Sequence, residues 1–447
     1  LKHHGELIEN FTQKKKNPRI FTIDNARTTD FDDALSISPS GSVVSVYVAN
    51  VVFFLDKFDL WTAMTRRVAT VYLPDKRRPM MPSILTEERF SLKEKTNRFC
   101  VEFRFEMSTS DDDDDDDADK EIGIRGMTIH HVYARISKNY RYSEPELWKD
   151  PQYQQLFGLT STLDRNVRQP QDVVSFWMIK VNTWTAQFLR SSPLHRRGIF
   201  RAVQYTPGAR LQDIPEDLDE DSRRVVMGWN YSSGKYVFVD DSVPAQNDKA
   251  DDRDMEDNGA AAGAAAAANH DMLGADGYVH ITSPIRRLVD LLNQIVLLWP
   301  YCLQSDESAN ARSFFQDWVA EMTYINITMR TIKHVESDCE LLRRCVSQPE
   351  LCDREYEGIL FDPVPVPVPA SASDAVVSYM VYIPEIRLMT RYKTSADPNI
   401  DAAEDASTSL TFYDGPLGQK IFARGRFRLF LFLDRQSLLQ KIRIVLI

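Results

Sequence analysis

The sequence predicts an α+β chain, with strands and helices mixed through residues 1–350 and a small all-β domain over 351–447. Three observations predict it. Gly41–Leu55 (GSVVSVYVANVVFFL) is rich in Val and aromatics and reads as strand. Asp172–Leu189 carries Val173, Phe176, Trp177, Val181, Trp184 and Phe188 at helical spacing. After a Pro-rich, extended break at Asp362–Ala370 come three strand-like runs, VVSYMVYIPEI, KIFARGRFRLFLFLD and KIRIVLI. Short strands separated by turns suit a barrel of OB type. Between these, Pro284–Leu298 reads as a buried helix and Ala311–Cys345 as one long helix of mixed polarity.

Composition bounds the rest. At 43% hydrophobic with seven Trp, the chain can build real cores. Its five cysteines (Cys100, Cys302, Cys339, Cys345, Cys352) contain no C-x-x-C pair, which argues against a disulfide framework or thiolate zinc site and for a reducing, intracellular compartment. No run reaches the length of a membrane helix, and no membrane partner is expected. The chain opens on Leu1 without Met, so its natural N-terminus is expected upstream. Net charge is −11. Two acidic stretches carry it, one inside an insertion near 108–120 and one inside an insertion near 240–268 that ends in an Ala-rich run. Both read as solvated loops, the Ala run with helix as its alternative. Without them the chain is close to neutral, so its charge does not exclude an RNA partner.

Thr22–Ser36 (TIDNARTTDFDDALS) crowds Asp24, Asp30, Asp32 and Asp33 beside aliphatic residues. On a regular strand Asp30 and Asp32 share one face and Asp33 the other, so all four converge only if a loop interrupts the strand. One reading is an Asp-rich turn with solvated charges. The other is a cation site: oxygen donors without His or Cys favour Mg²⁺, with Mn²⁺ as the alternative, and suit phosphodiester hydrolysis. In HITSPIRRLVDLLNQ (His280–Gln294), Arg286 and Arg287 follow Ser283-Pro284 near a helix start. They read as a phosphate clamp or as exposed arginines of a capped helix. Tyr72 precedes Pro74 and a basic loop, suited to stacking a base, or to ordinary core packing.

Taken in order, these segments resemble the RNB catalytic domain of the ribonuclease II/R family. TIDNARTTDFDDALS, VYLPDKRRPMMPSILTEERFSL, ISKNYRYSE and HDMLGADGYVHITSPIRRLVDLLNQ are similar to that family's successive motifs, and the C-terminal β segment to its RNA-binding OB domain. The resemblance implies a mixed sheet flanked by helices and an OB-like tail. It implies hydrolytic 3′→5′ exoribonuclease action on single-stranded RNA, dependent on Mg²⁺ and releasing nucleoside 5′-monophosphates. By position, Asp24, Asp30 and Asp33 would be metal ligands and Asp32 the acid on which catalysis most depends. Tyr72 would pack on the terminal nucleotide, and Arg286, with Arg287, would hold phosphate. A mitochondrial home, with nucleus or cytoplasm as alternatives, and a helicase or ribonucleoprotein assembly as partner are expectations by analogy.

The chain also departs from the pattern. A Glu-Glu pair is replaced by Ser175-Phe176, the Tyr after PIRR by Leu288 and the closing His by Gln294. The H-I-A-D strand reads Tyr47-Val48-Ala49-Asn50, and an acidic loop, Asp397–Ser407, interrupts the OB-like end. The alternative expectation is therefore a weak or inactive RNB-fold subunit that binds RNA or scaffolds a ribonucleoprotein.

Overall fold

The computed structural model describes residues 12–13, 19–64, 66–108, 123–192, 195, 197–205, 214–229, 231, 234–240, 268–302, 308–366, 376–394, 411–412, 422–434 and 439–447. The two insertions, edges apart, and the loop Asp397–Ser407 lie outside the described residues. The chain divides into two compact units. The first comprises residues 1–72, 76–203 and 234–332; the second comprises 73–75, 204–233 and 333–447.

A seven-stranded sheet organises the first unit. Its members are β1 (Thr12–Gln13), β2 (Phe21–Asp24), β3 (Asp33–Ile37), β4 (Val43–Ala49), β7 (Asn97–Met107), β8 (Ile124–Arg135) and β9 (Lys138–Arg141); a small hairpin, β5 (Val71–Tyr72) with β6 (Arg77–Arg78), stands apart. The order is β1-β8-β7-β4-β3-β2-β9. β1 lies parallel to β8 and β2 parallel to β9, the rest antiparallel, so the sheet is mixed as expected. Strand alternation sends Val44, Val46, Phe103 and Phe105 to one face and Tyr47, Ala49, Cys100 and Val132 to the other, where each joins a separate core.

Helices α1 (Val51–Lys57), α2 (Pro145–Lys149), α3 (Pro151–Leu163) and α4 (Pro170–Ser191) follow. α4 presents Val173, Trp177 and Val181 to the first of those faces, and Trp177 Nε1 donates to Thr160 Oγ1 at 3.0 Å. After β10 (Arg197–Ala202), α5 (Glu220–Gly228) and β11 (Lys235–Asp240) comes α6 (Leu288–Cys302). α6 is buried all round between Leu288 and Leu298. Three polar residues interrupt its apolar run, and each is a pin. Asp290 accepts from Ser283 N at 2.8 Å and pairs with Arg287. Asn293 bonds the backbone of Ile199 in both directions and the carbonyl of His280. Gln294 accepts from the amides of Val51 and Val52 at 2.9 and 3.1 Å and donates to Ala49 O at 2.9 Å.

That last pin corrects one expectation. Gly41–Leu55 is not strand throughout: β4 stops at Ala49 and the chain turns into α1. Asn50 Oδ1 caps Phe53 N at 3.0 Å while Gln294 satisfies the two preceding amides. Gln294→Ala is therefore expected to destabilise the protein by about 3 kcal/mol, because it leaves buried amides and a carbonyl unpaired; urea unfolding measures it. Two helix boundaries also differ. α6 starts at Leu288 rather than Pro284, since Ser283–Arg287 is held as a turn by Asp290, Asp32 and the backbone of Val68 and Thr70. The stretch read as one helix over Ala311–Cys345 is two, α7 (Ala309–Ala320) and α8 (Met322–Ser347), parted at Glu321.

The second unit holds α9 (Glu350–Asp353) and an antiparallel sheet of β12 (Glu355–Val366), β13 (Val376–Ile383), β14 (Leu388–Thr394), β15 (Thr411–Phe412), β16 (Ala423–Asp434) and β17 (Leu439–Leu446). The order is β14-β13-β12-β16, with β15 and β17 both on β16. Tyr356, Val381, Phe427 and Leu429 form its core. Gly358 is required there, because a Cβ would stand 2.6 Å from the Phe427 ring. This curled sheet is the OB-like half-barrel the C-terminal strand pattern predicted.

Candidate active site

Residues 25–32 leave the sheet between β2 and β3, whose ladder contains a single pair, Phe21 with Leu35. Beyond it the strands splay, leaving Asp24 at the end of β2 and Asp33 at the start of β3. The loop between them is fixed by its neighbours. Arg141 donates to the carbonyls of Asn25 and Thr28 at 3.0 and 3.2 Å and lies over the Phe31 ring. Ser91 Oγ accepts from Phe31 N and donates to Thr29 O, both at 3.0 Å. Asp32 O accepts from Ala49 N at 2.9 Å. The interruption that convergence requires is thus present.

All four carboxylates line one cleft of about 480 Å³, with Tyr72, Arg286 and Arg287. Asp32 is 2% exposed; it accepts from Ile285 N at 2.8 Å and Arg286 Nε at 3.0 Å. Arg286 also donates to Ser283 Oγ at 3.0 Å, yet its side chain is 45% exposed and so reachable from the cleft. Arg287 spends its fork on Asp290. Asp30 is held by Arg77, which also pairs with Glu87, and accepts from the Tyr72 hydroxyl at 3.4 Å. Tyr72 is 42% exposed, which rules out a fully packed ring and leaves a face for stacking.

Asp24 and Asp33 differ from this paired set. Burial, then the charge of Asp33, pushes Asp24 up to about 7. Burial, opposed by Arg286, pushes Asp33 up to about 6. Asp24 Oδ2 is buried without a hydrogen-bond partner. Asp32 is also raised, by burial against the pull of Arg286. Among the described residues no three His, Cys, Asp or Glu side chains stand as a ready metal cage. Asp30 and Asp32 already hold arginines, so the uncompensated charge resides on the Asp24–Asp33 pair. Such a pair fits a hard divalent cation, since Mg²⁺ is commonly held by one or two carboxylates plus substrate phosphate.

Several lining residues were not singled out from the sequence. Asn182 donates to the Tyr278 hydroxyl at 2.9 Å and accepts from Ile281 N at 3.1 Å. His280 Nδ1 meets the Tyr236 hydroxyl at 2.7 Å, and burial, with Arg287 beside it, holds the imidazole neutral well below its ordinary range. Tyr142 stands by Asp24 and Asp33. Tyr142, Tyr278, His280 and Arg77 all lie inside the motif segments quoted above, which is the available signal. The departures from the motif fall elsewhere. Leu288 and Gln294 are buried in the core. α4 offers the cleft Val174, Met178 and Asn182 rather than Ser175 or Phe176.

No helix among the described residues is long and apolar enough to cross a membrane. The sequence profile of the RNB domain matches residues 10–120 and 134–299, more than half of the chain. DIS3-like exonuclease 2 of Xenopus tropicalis is 40% identical over 96 residues, 20% of this chain and 12% of that protein. The chain therefore matches only a small part of that relative's length. RNase R of Mycoplasma genitalium, solved in complex with ribose methylated single-stranded RNA, aligns with a TM-score of 0.62 at 14% identity over 98% of this chain and 72% of its own. Yeast Ssd1, described as a pseudonuclease, aligns with a TM-score of 0.61 at 12% identity over 87% of this chain and 51% of its own. At such identities the likeness is one of fold. With residues of its motifs gathered in one cleft and the profile matched over 10–120 and 134–299, the chain belongs to the RNB domain family.

Proposed function

We propose that this protein is a Mg²⁺-dependent hydrolytic exoribonuclease that shortens single-stranded RNA from its 3′ end and releases nucleoside 5′-monophosphates. The observation that carries the reading is the gathering of Asp24, Asp30, Asp32, Asp33 and Arg286 in one cleft. Asp24 and Asp33 would hold the cation, with Asp30 and Asp32 flanking. A divalent ion there supplies polarisation of a phosphoryl oxygen and a hydroxide near neutral pH. Asp32 seats Arg286, whose remaining N–H groups meet charge developing on the phosphate. Tyr72 offers a ring face to the last base. RNase R bound to single-stranded RNA, at the same fold, supports RNA as the ligand.

A second reading, a fold that binds RNA without cutting it, has its own support. Asp30 and Asp32 are each occupied by an arginine, the α4 face lining the cleft carries no carboxylate, and Ssd1 is a pseudonuclease. A 5′-labelled single-stranded oligoribonucleotide, incubated with Mg²⁺ or EDTA and resolved at single-nucleotide length, separates the two. A metal-dependent ladder ending at a short product supports hydrolysis; retention without shortening supports the second reading. In the first case Tyr72→Ala is expected to lengthen the end product by one nucleotide or more, because the terminal base loses its stacking partner, worth about 1–3 kcal/mol. An unchanged end product on the same gel would remove Tyr72 from that role.

A further inference from the structure

A second cleft, of about 240 Å³, lies on α1 and the start of β7, outside the catalytic one. Its floor holds Asn50, 4% exposed. The amide oxygen of Asn50 is committed to Phe53 N at 3.0 Å, which fixes the amide's orientation and leaves Nδ2 as a buried donor with no partner. Buried donors are rarely left so unless a ligand or water completes them. The walls are aromatic: Phe54, Phe90, Phe99 and Tyr133 line the cleft, with Phe99 and Tyr133 centroids 4.7 Å apart and Phe54 and Phe90 5.3 Å apart. Arg89 and Arg98 line it as well, with Glu88, whose carboxylate is paired with Lys93 at 2.7 Å. Arg98 donates to the carbonyls of Ser91, Asn97 and Glu88, each at 2.9 Å, which leaves two of its N–H groups for another acceptor.

Each wall requires something of an occupant. The donor calls for a carbonyl oxygen, the aromatic faces for a flat ring, the arginines for an anionic substituent, and the volume for a single ring system rather than a drug-sized ligand. We propose that this cleft binds one nucleotide, base inward on Asn50 Nδ2 and phosphate outward toward Arg89, either free or as one residue of an RNA strand. Both polar walls lead directly to the loop bearing the carboxylates. Asn50 follows Ala49, whose amide holds Asp32 O, and Arg98 holds Ser91, whose hydroxyl fixes Thr29 and Phe31. The site stands whether or not the catalytic cleft hydrolyses RNA.

The test is calorimetric titration, in EDTA, of the full chain with uridine 5′-monophosphate, uridine and a short oligouridylate. Asn50→Asp keeps the cap acceptor and removes the donor, so it is expected to stay folded by circular dichroism and to weaken nucleotide binding at least tenfold. Arg89→Gln, at an exposed position, is expected to weaken the monophosphate several-fold and uridine not at all. Arg286→Ala, in the catalytic cleft, is expected to leave this binding intact. Tighter binding of the oligouridylate, with the same loss in Asn50→Asp, would identify an RNA residue as the occupant; binding of the monophosphate alone would identify free nucleotide. Absence of saturable binding to wild type overturns the proposal and leaves Nδ2 to water. Binding that survives Asn50→Asp and Arg89→Gln but vanishes in Arg286→Ala overturns it too, since the nucleotide then occupies the catalytic cleft only.

Discussion

Asp32→Asn is expected to lower turnover of single-stranded RNA about a thousandfold while RNA affinity stays within about threefold of wild type. Asp32 receives two donors, Ile285 N on one oxygen and Arg286 Nε on the other. An amide of the same size keeps one acceptor and turns a second donor toward the other partner, so Arg286 loses its seat. The guanidinium charge remains in the cleft, which is why affinity is spared. Stability should fall far less than activity. Asp32 is raised by burial, so the carboxyl stabilises the fold most when protonated, below its ordinary range, and this contribution fades as pH rises. A neutral amide drops that pH-dependent part but faces a donor with a donor, so the variant should stay folded at pH 7 and melt modestly below wild type. Filter binding and single-turnover cleavage measure both quantities on one preparation; equal losses in each would make Asp32 a structural residue.

The second large effect is pH-dependent stabilisation by Mg²⁺. Asp24 and Asp33 are raised to about 7 and about 6, so the native state holds their protons longer than the unfolded chain. Without a cation their contribution to stability is full below about pH 4 and is lost as pH climbs through 6 and 7. A divalent ion compensates the pair only once both are ionised. Mg²⁺ at a hundredfold excess over its dissociation constant should therefore add about 2.7 kcal/mol at pH 8, roughly 5 °C in melting temperature. At pH 5.5 the gain should nearly vanish, because protons occupy the pair. Asp24→Asn with Asp33→Asn should melt higher than wild type at pH 8 without Mg²⁺ and gain nothing from adding it. A Mg²⁺ shift of equal size in that double variant would place the cation elsewhere.

The sequence made part of this legible. The spacing of the four aspartates already required a loop, because strand alternation separates Asp32 from Asp33, and the loop is there. The TSPIRR segment announced two arginines before a helix, but not their different ties, Arg286 to Asp32 and Arg287 to Asp290. Those follow from a turn held by contacts more than 200 residues away in sequence. Val51–Leu55 shows the same limit. Two Val and two Phe favour strand by local propensity, yet Gln294, distant in sequence, supplies the acceptor that lets a helix begin. Position 294, where the family pattern closes on a histidine, proves to be a cap, which no spacing argument reveals. Asn182 and Arg77 reach the site through the packing of α4 and the small hairpin; both lie in segments that follow the family pattern, but spacing alone does not say which residue of each segment faces the cleft.

The most direct test of the central claim, that this cleft is a working hydrolytic centre releasing one nucleotide at a time, is the identity of the earliest product. Uniformly labelled single-stranded RNA is mixed with Mg²⁺ and the protein, and the released material is separated by mass at low conversion. The account predicts nucleoside 5′-monophosphates from the first time points, abolished by EDTA and by Asp32→Asn. Internal oligonucleotide fragments, or monophosphate release undiminished in Asp32→Asn, would contradict it.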